Sequence, residues 1–412
     1  MTTATGYRPF DPDTIADPYP QYAWLRDHSP VHHDEESDLW VVSRYDDVVG
    51  VLRDPATFSS ALGMGDLLAG RPGLRNRRPP EFMLDLAGLR VLIATDPPDH
   101  TTLRRLVGKA FTPREIAALE PRIRTLAEGM VDDIIDAGDG ADLVAQLAYP
   151  LPVIVIAELL GIPAERRDDF KRWSDDVVGG LSGTWDESRV QHSGVEMFTY
   201  FGELIAERYR RPGGDLISLL AVRGRDGDVA LGPMEIVMFC VLLLIAGNET
   251  TTNLIGNGAQ ALFDHPDQAR RLRDDPGLIP AAVEEALRYD APVQALFRGA
   301  TRDVTIAGVT IPKRGRVMVA FAAADRDPRR YPDPDRFVVD RFAAERNAAD
   351  HVAFGSGIHL CLGAPLARLE ARVVAETLLR RLRRLEPAGA PERVDSFLLR
   401  GFTRLPVRAV TP

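Results

Sequence analysis

Cysteine is scarce in this chain, with two residues in 412. That excludes a disulfide framework and any zinc or iron–sulfur site built from several cysteines. No Gly/Ser-rich or Pro-rich linker divides the sequence, although at about 100–200 residues per domain its length would allow two or three. The opening stretch MTTATGYRPFDPDTIADPYP has neither the basic nor the apolar region of a secretory signal. The longest apolar run, 236–246, falls short of the about 20 residues that span a bilayer, so it reads as a buried helix. Positive charge is also in deficit: 50 Lys and Arg against 60 Asp and Glu give a formal net charge of −10. Nucleic acid and anionic membrane are therefore disfavoured as main partners. What remains is an ordinary globular composition, 45% hydrophobic and 27% charged, expected to be soluble and cytoplasmic.

Helical periodicity dominates. It is clear in TPREIAALEPRIRTLAEGMVDDIIDA, AAVEEALRYD and GAPLARLEARVVAETLLRRLRRL, and in a long segment from about Gly232 to Phe263. Strand patterns are confined to VHHDEESDLWVV, read as a hairpin before a helix near Asp46, and to 297–321. In the latter, VTIAGVTI and RVMVAF flank the turn Pro312-Lys313-Arg314-Gly315. With no βαβ alternation and no repeat, the class is mainly α with small antiparallel β-sheets. The segment Ser60–Arg90 is rich in Gly, Pro and Arg and weakly periodic. It reads equally as a binding loop and as a solvated surface loop.

Four clusters carry chemistry. In FGSGIHLCLG, Gly355 and Gly357 permit backbone geometry that other residues resist, and Cys361 stands just ahead of a helix opening at Ala364-Pro365. A sulfur among amide N–H groups at a positive helix end is favoured as thiolate, which suits metal ligation or nucleophilic attack. In AGNETT, Ala246 to Thr251, polar residues follow an apolar run within the long helix, where burial requires partners. Gly247 costs a mid-helix position roughly 1 kcal/mol relative to alanine, so a small residue there leaves room for something against the helix. Thr250 can alternatively bond back to a carbonyl of its own helix. Glu285 and Arg288 share a helix face at i and i+3, and Arg341 lies in DRFVVDRF. Finally, His100, Arg104, Arg298 and His359 are cations suited to carboxylates. GNGAQA at 256–261 continues a helix instead of leaving a strand, so it is no dinucleotide motif.

The pattern Phe-x-x-Gly-x-x-x-Cys-x-Gly at Phe354, Gly357, Cys361 and Gly363, with the other three clusters in order, resembles the cytochrome P-450 family of the soluble bacterial type. The likeness runs from DPYPQYAWLRDHSPV to LRGFTRLPVR, nearly the whole chain. It implies one haem-thiolate monooxygenase domain over residues 1–412, with haem b between the long central helix and the cysteine loop. Cys361 is then the axial iron ligand, and Phe354, Gly357, Ala246 and Gly247 border the haem. His100, Arg104, Arg298 and His359 bind its propionates. Glu249 and Thr250 deliver protons during use of O₂, while Glu285, Arg288 and Arg341 form a structural triad.

The family position of the substrate pocket falls on the Ser60–Arg90 access loop, Ile245, Val293, Leu296, Phe297, Phe397 and Leu398, with Arg71, Arg75, Arg77 and Arg78 as possible carboxylate recruiters. The pocket suits a hydrophobic small molecule. No flavin or iron–sulfur domain is fused, so electrons are expected from a ferredoxin and its reductase. The ferredoxin would dock on a face carrying Arg105, Lys109 and Arg372, with the enzyme itself a monomer. The rivals are a non-catalytic haem sensor, a cysteine hydrolase, for which His359 is poorly placed as base, and peroxide-driven or oxidative-coupling chemistry within the family.

Overall fold

The computed structural model describes residues 7–64, 90–166, 168–170, 172–174, 176, 187–226, 231–344 and 350–412. Of the segment Ser60–Arg90 this includes only 60–64 and 90. Arg71, Arg75, Arg77 and Arg78 lie outside the described residues.

The apolar run 236–246 lies within a 32-residue helix, Pro233–Asp264. Proline at its first turn needs no amide partner, and Glu235 closes its start by accepting the Gly232 N–H at 2.9 Å. This helix has the length and apolar content to cross a bilayer. Here it is threaded through the protein's own interior: Ile236, Cys240 and Leu244 join one apolar core, and Leu254 and Ala261 join a second. Cys240 is an inert core thiol, its pKa pushed far up by burial. The helix Ala364–Arg381 begins directly after the cysteine loop. It lies against Glu120–Ala137, to which it is tied by paired charges (Arg372 to Glu120 at 2.6 Å, Arg124 to Glu376 at 2.6 Å).

The helical pattern at 112–137 is broken where the sequence suggested continuity. Pro113–Ala118 and Glu120–Ala137 are separate helices, because Pro121 has no N–H to offer the Ala117 carbonyl.

Eleven strands, among the described residues, form small sheets. The largest takes β1 (Val31–Asp34), β2 (Leu39–Val42), β7 (Arg316–Val319), β4 (Leu296–Ala300) and β3 (Phe58–Ser59) in that spatial order. The hairpin at 31–42 is present, and Tyr45–Arg53 follows as a helix. The second β-rich stretch differs from expectation. β5 (Val304–Ile306) and β6 (Val309–Ile311) pair with each other around Ala307-Gly308, whereas β7 leaves the Pro312–Gly315 turn to sit between β2 and β4, parallel to β2. Val317, Met318 and Val319 are all buried, so a central place in a sheet wins over a local hairpin. β8 (Arg384–Pro387) pairs with β11 (Val407–Val410), and β9 (Glu392–Arg393) with β10 (Phe402–Arg404).

Two buried acids hold this frame. Glu285 has no exposed surface, nor does Arg288, which grips it with two bonds of 2.7 and 2.9 Å. Arg341 adds bonds of 3.1 Å to each carboxylate oxygen, and the Val338 amide another at 2.9 Å. The guanidinium of Arg288 also donates to the carbonyls of Asp325, Pro334 and Arg336. This is no solvated surface pair. Glu370, on the helix that follows the cysteine, bonds the Thr251 side chain of the long helix, and its Oε1 has no partner. Burial, opposed by the Thr251 bond, pushes its carboxyl up to about 8.

Glu285→Gln leaves two guanidinium groups around a neutral amide and is expected to cost about 3–5 kcal/mol. Urea unfolding measures it, and a loss below about 1 kcal/mol would mean that the carbonyl contacts suffice. Glu370 adds a pH dependence of known sign. Its folded pKa stands above the unfolded value of about 4.3, so the native state binds the extra proton between them. Its contribution is full below about pH 4.3 and falls as pH rises towards 8. Melting profiles from pH 5 to 8 should therefore slope down more steeply for the wild type than for Glu370→Gln; parallel profiles would refute the assignment.

Candidate functional site

The stretch 354–363 is shaped by two glycines. Gly355 and Gly357 adopt φ of 72° and 70°, the left-handed region that costs L side chains. At Gly357 a Cβ would also lie 2.5 Å from the Leu52 carbonyl oxygen, so the loop is seated directly on the helix Tyr45–Arg53. The chain then closes on itself, the Cys361 amide donating to the Phe354 carbonyl at 2.9 Å.

Cys361 is solvent-accessible, yet protein encloses it so closely that burial is the largest influence on its thiol. A side chain both enclosed and accessible stands on the wall of a cleft. Burial pushes the thiol up. The amides of Gly363 and Ala364 and the charges of Arg104 and Arg368 pull it down, without overcoming that push. The helix end and its amides thus act on the sulfur in the direction expected from the sequence, with desolvation opposing them. A cation at the sulfur is what would complete the thiolate. Among the described residues no group of three His, Cys, Asp or Glu side chains could hold a bare metal ion.

Beside the cysteine the fold collects His100, Arg104, Arg298 and His359 from three separate parts of the chain. The rings of His100 and His359 lie 4.1 Å apart. Arg298 is buried, and the hydrogen bond of its guanidinium goes to the Phe297 carbonyl. Burial lowers all of them, and repulsion from neighbouring cations adds to it at the two histidines. His359 is driven down to about 3 by burial, then by His100 and Arg298, against the pull of Asp96. Burial takes Arg298 down to about 10. His100 and Arg104 fall chiefly by burial too, and Arg104 interacts with Cys361. Neither ring nitrogen of His100 has a hydrogen-bond partner. Asp96 is occupied by the Ser59 hydroxyl and the Ser60 amide, and Ser60 Oγ in turn meets His359 Nε2 at 3.0 Å. Asp96 and Ser60 escaped the sequence reading because nothing local marks them. A buried arginine and a buried histidine whose ring nitrogens lack partners, next to an accessible sulfur, fit a flat, dianionic metal macrocycle.

On the long helix, Ala246 is exposed and Glu249 and Thr250 are half-buried. Thr250 Oγ1 donates to the Ala246 carbonyl at 2.5 Å, the alternative the sequence left open. Asn248 is buried and paired with Ser174 and Thr252. Gly247 requires correction. A Cβ there would meet Ile156 Cδ1 at 2.4 Å, so its smallness admits the neighbouring helix Pro150–Leu159, and Ala246 is the residue that faces open space. Of the pocket candidates, Ile245, Val293 and Leu296 are partly exposed. Phe297, Phe397 and Leu398 are core residues instead, the Phe397 ring packing on Phe10 (4.8 Å) and Phe297 (6.4 Å). Phe297 shares the strand Leu296–Ala300 with the accessible Leu296 but points to the opposite face, whereas Phe397 and Leu398 lie in a bend. Arg105 and Lys109 are exposed, without an ion pair among the described residues. Arg372, by contrast, is neutralised by Glu120 and Glu376.

Comparison with known proteins agrees with this geometry. The cytochrome P450 family model matches residues 277–410. Cytochrome P450 107B1 of Saccharopolyspora erythraea is 41% identical, with 97% of this chain and 96% of the relative aligned. The vitamin D(3) 25-hydroxylase of Pseudonocardia autotrophica is 42% identical over 95% and 93%. Among solved structures, CYP109E1 from Bacillus megaterium in complex with testosterone superposes with a TM-score of 0.82 at 36% identity, covering 97% of this chain and 99% of that one. With likeness of this extent along nearly its full length, the chain belongs to the cytochrome P450 family of haem-iron monooxygenases.

Proposed function

We propose that residues 1–412 work as one haem-thiolate domain, a soluble cytoplasmic enzyme that inserts one atom of O₂ into a hydrophobic small molecule. The observation that carries this is the pairing of an accessible cysteine at a helix start with two arginines and two histidines, of which Arg298 and His100 are buried and both ring nitrogens of His100 lack a hydrogen-bond partner. Haem b bound there would supply the oxidising chemistry, and Cys361 would hold its iron as a thiolate that donates electron density; that role of cysteine in this family is a general one. Arg104, Arg298, His100 and His359 would hold the two propionates, with the desolvation of the cations relieved by the carboxylates they receive.

Ala246 offers a small surface where a larger side chain would intrude. Glu249 and Thr250 stand in the following turn. Thr250 rests on the Ala246 carbonyl in the present arrangement; its hydroxyl is placed to exchange that bond for one to water and so to hand on a proton supplied by Glu249. Glu285, Arg288 and Arg341 do not meet the substrate and act by fixing the region that leads into the cysteine loop.

Substrate reading rests on the accessible apolar residues Ile245, Val293 and Leu296 and on relatives named for a vitamin D hydroxylation or solved with testosterone. We place the substrate among lipophilic, largely hydrocarbon compounds with few polar anchors. Electrons come from a ferredoxin and its reductase, docking near Cys361 on the side of Arg105 and Lys109; with Arg372 neutralised, those two carry the local positive charge.

Carbon monoxide added to the reduced holoprotein is expected to give a strongly red-shifted Soret band that Cys361→Ala abolishes. An absorption spectrum indifferent to that substitution would end the haem-thiolate reading. Reversing Arg105 and Lys109 together to glutamate should raise KM for a surrogate ferredoxin roughly tenfold with kcat little changed. An unmoved KM would put the docking face elsewhere.

A further inference from the structure

One closed circuit behind the cysteine loop has no part in the motifs above, and what it does rests on the haem-thiolate reading. Glu284 neighbours Glu285 but turns to the other side of the helix Ile279–Tyr289. Its carboxylate accepts Nε and Nη2 of Arg368 at 2.6 and 2.8 Å, and Nε2 of His351 at 3.0 Å. His351 is buried, and its Nδ1 accepts the Ala353 amide at 3.3 Å, which leaves Nε2 as the nitrogen that donates to Glu284. Asp325 accepts the next amide, of Val352, at 2.7 Å. Burial pushes the Glu284 carboxyl up, but the bonds from His351 and Arg368 outweigh it and hold it down at about 2.

Arg368 closes the circuit. Its guanidinium carbon lies 4.5 Å from the centre of the Phe354 ring, the residue whose carbonyl receives the Cys361 amide. It stands on the helix that starts after the cysteine, and its charge is among those acting on the sulfur. Glu284 is its carboxylate partner. The charge on this side of the sulfur therefore comes as a pair of opposite sign, with Arg368 33% and Glu284 15% exposed.

We propose that Arg368 and Glu284 are positioning residues that set the electric field at the Cys361 sulfur. Arg368 supplies positive charge from the Phe354 face, and Glu284, oriented by His351, fixes that charge in place and offsets part of it.

The test is the reduction potential of the bound haem iron in the holoenzyme, measured by spectroscopic titration in the wild type, Arg368→Gln, Arg368→Lys and Glu284→Gln. A nearby positive charge favours the state holding one more electron. Arg368→Gln should therefore lower the potential and Glu284→Gln raise it, while Arg368→Lys stays nearer the wild type than the glutamine variant does. Disturbed packing alone would move both charge-removing variants the same way, or neither, and that result overturns the proposal. Should Glu284→Gln fail to retain haem, equal potentials for the Lys and Gln variants at 368 overturn it by themselves. The wild-type carbon monoxide spectrum separates the two levels: without a red-shifted band the haem-thiolate reading falls, whereas a normal band with same-direction shifts removes only this proposal.

Discussion

Glu285 lies in a place without solvent, where two guanidinium groups and a backbone amide reach it at once. That concentration of donors does more than neutralise one carboxylate. Arg288 spends its remaining N–H groups on the carbonyls of Asp325, Pro334 and Arg336, so a stretch with little regular structure is pinned to the helix Ile279–Tyr289. The same helix carries Glu284, which reaches His351 and Arg368 on either side of the cysteine loop. Irregular backbone cannot satisfy itself as a helix does. Here a single short helix, through two consecutive acids, supplies the fixed points that a loop bearing the reactive sulfur needs.

Burial depresses the cations around Cys361 and raises the thiol. A ligand carrying carboxylates on one edge and a metal cation at its centre suits both kinds of group. To such a ligand the chain offers orientation and charge. That division of labour is general where a cofactor performs the chemistry and the chain supplies orientation and charge.

The helix Pro233–Asp264 serves both demands. Its apolar residues tie two cores together, and the polar side chains of Asn248, Thr250 and Thr252 are satisfied within a turn or by a neighbouring segment. Gly247 admits Ile156, so a close helix–helix approach and an open face at Ala246 occur one residue apart. A residue-by-residue rotation of about 100° is what lets adjacent positions meet different surroundings.

Whatever depended on neighbours in the chain was legible from residues alone. Gly355 and Gly357 announced a turn because few other residues tolerate positive φ, Pro365 marked a helix start, and the apolar run 236–246 announced burial. The Glu285–Arg288 pair was visible at its i, i+3 spacing. Only the tertiary structure decided what each face met. Phe297, Phe397 and Leu398 went to the core and their neighbours to the cleft. Arg372 was neutralised from another helix, and β7 chose a distant parallel partner over the hairpin beside it. Glu284 found His351 and Arg368 at separations of 67 and 84 residues. Periodicity states that a side chain lies on a face; it carries no information about which face of the same molecule will be folded against it. For the cations near Cys361 that second fact was the decisive one, since a charge acquires chemistry from what surrounds it.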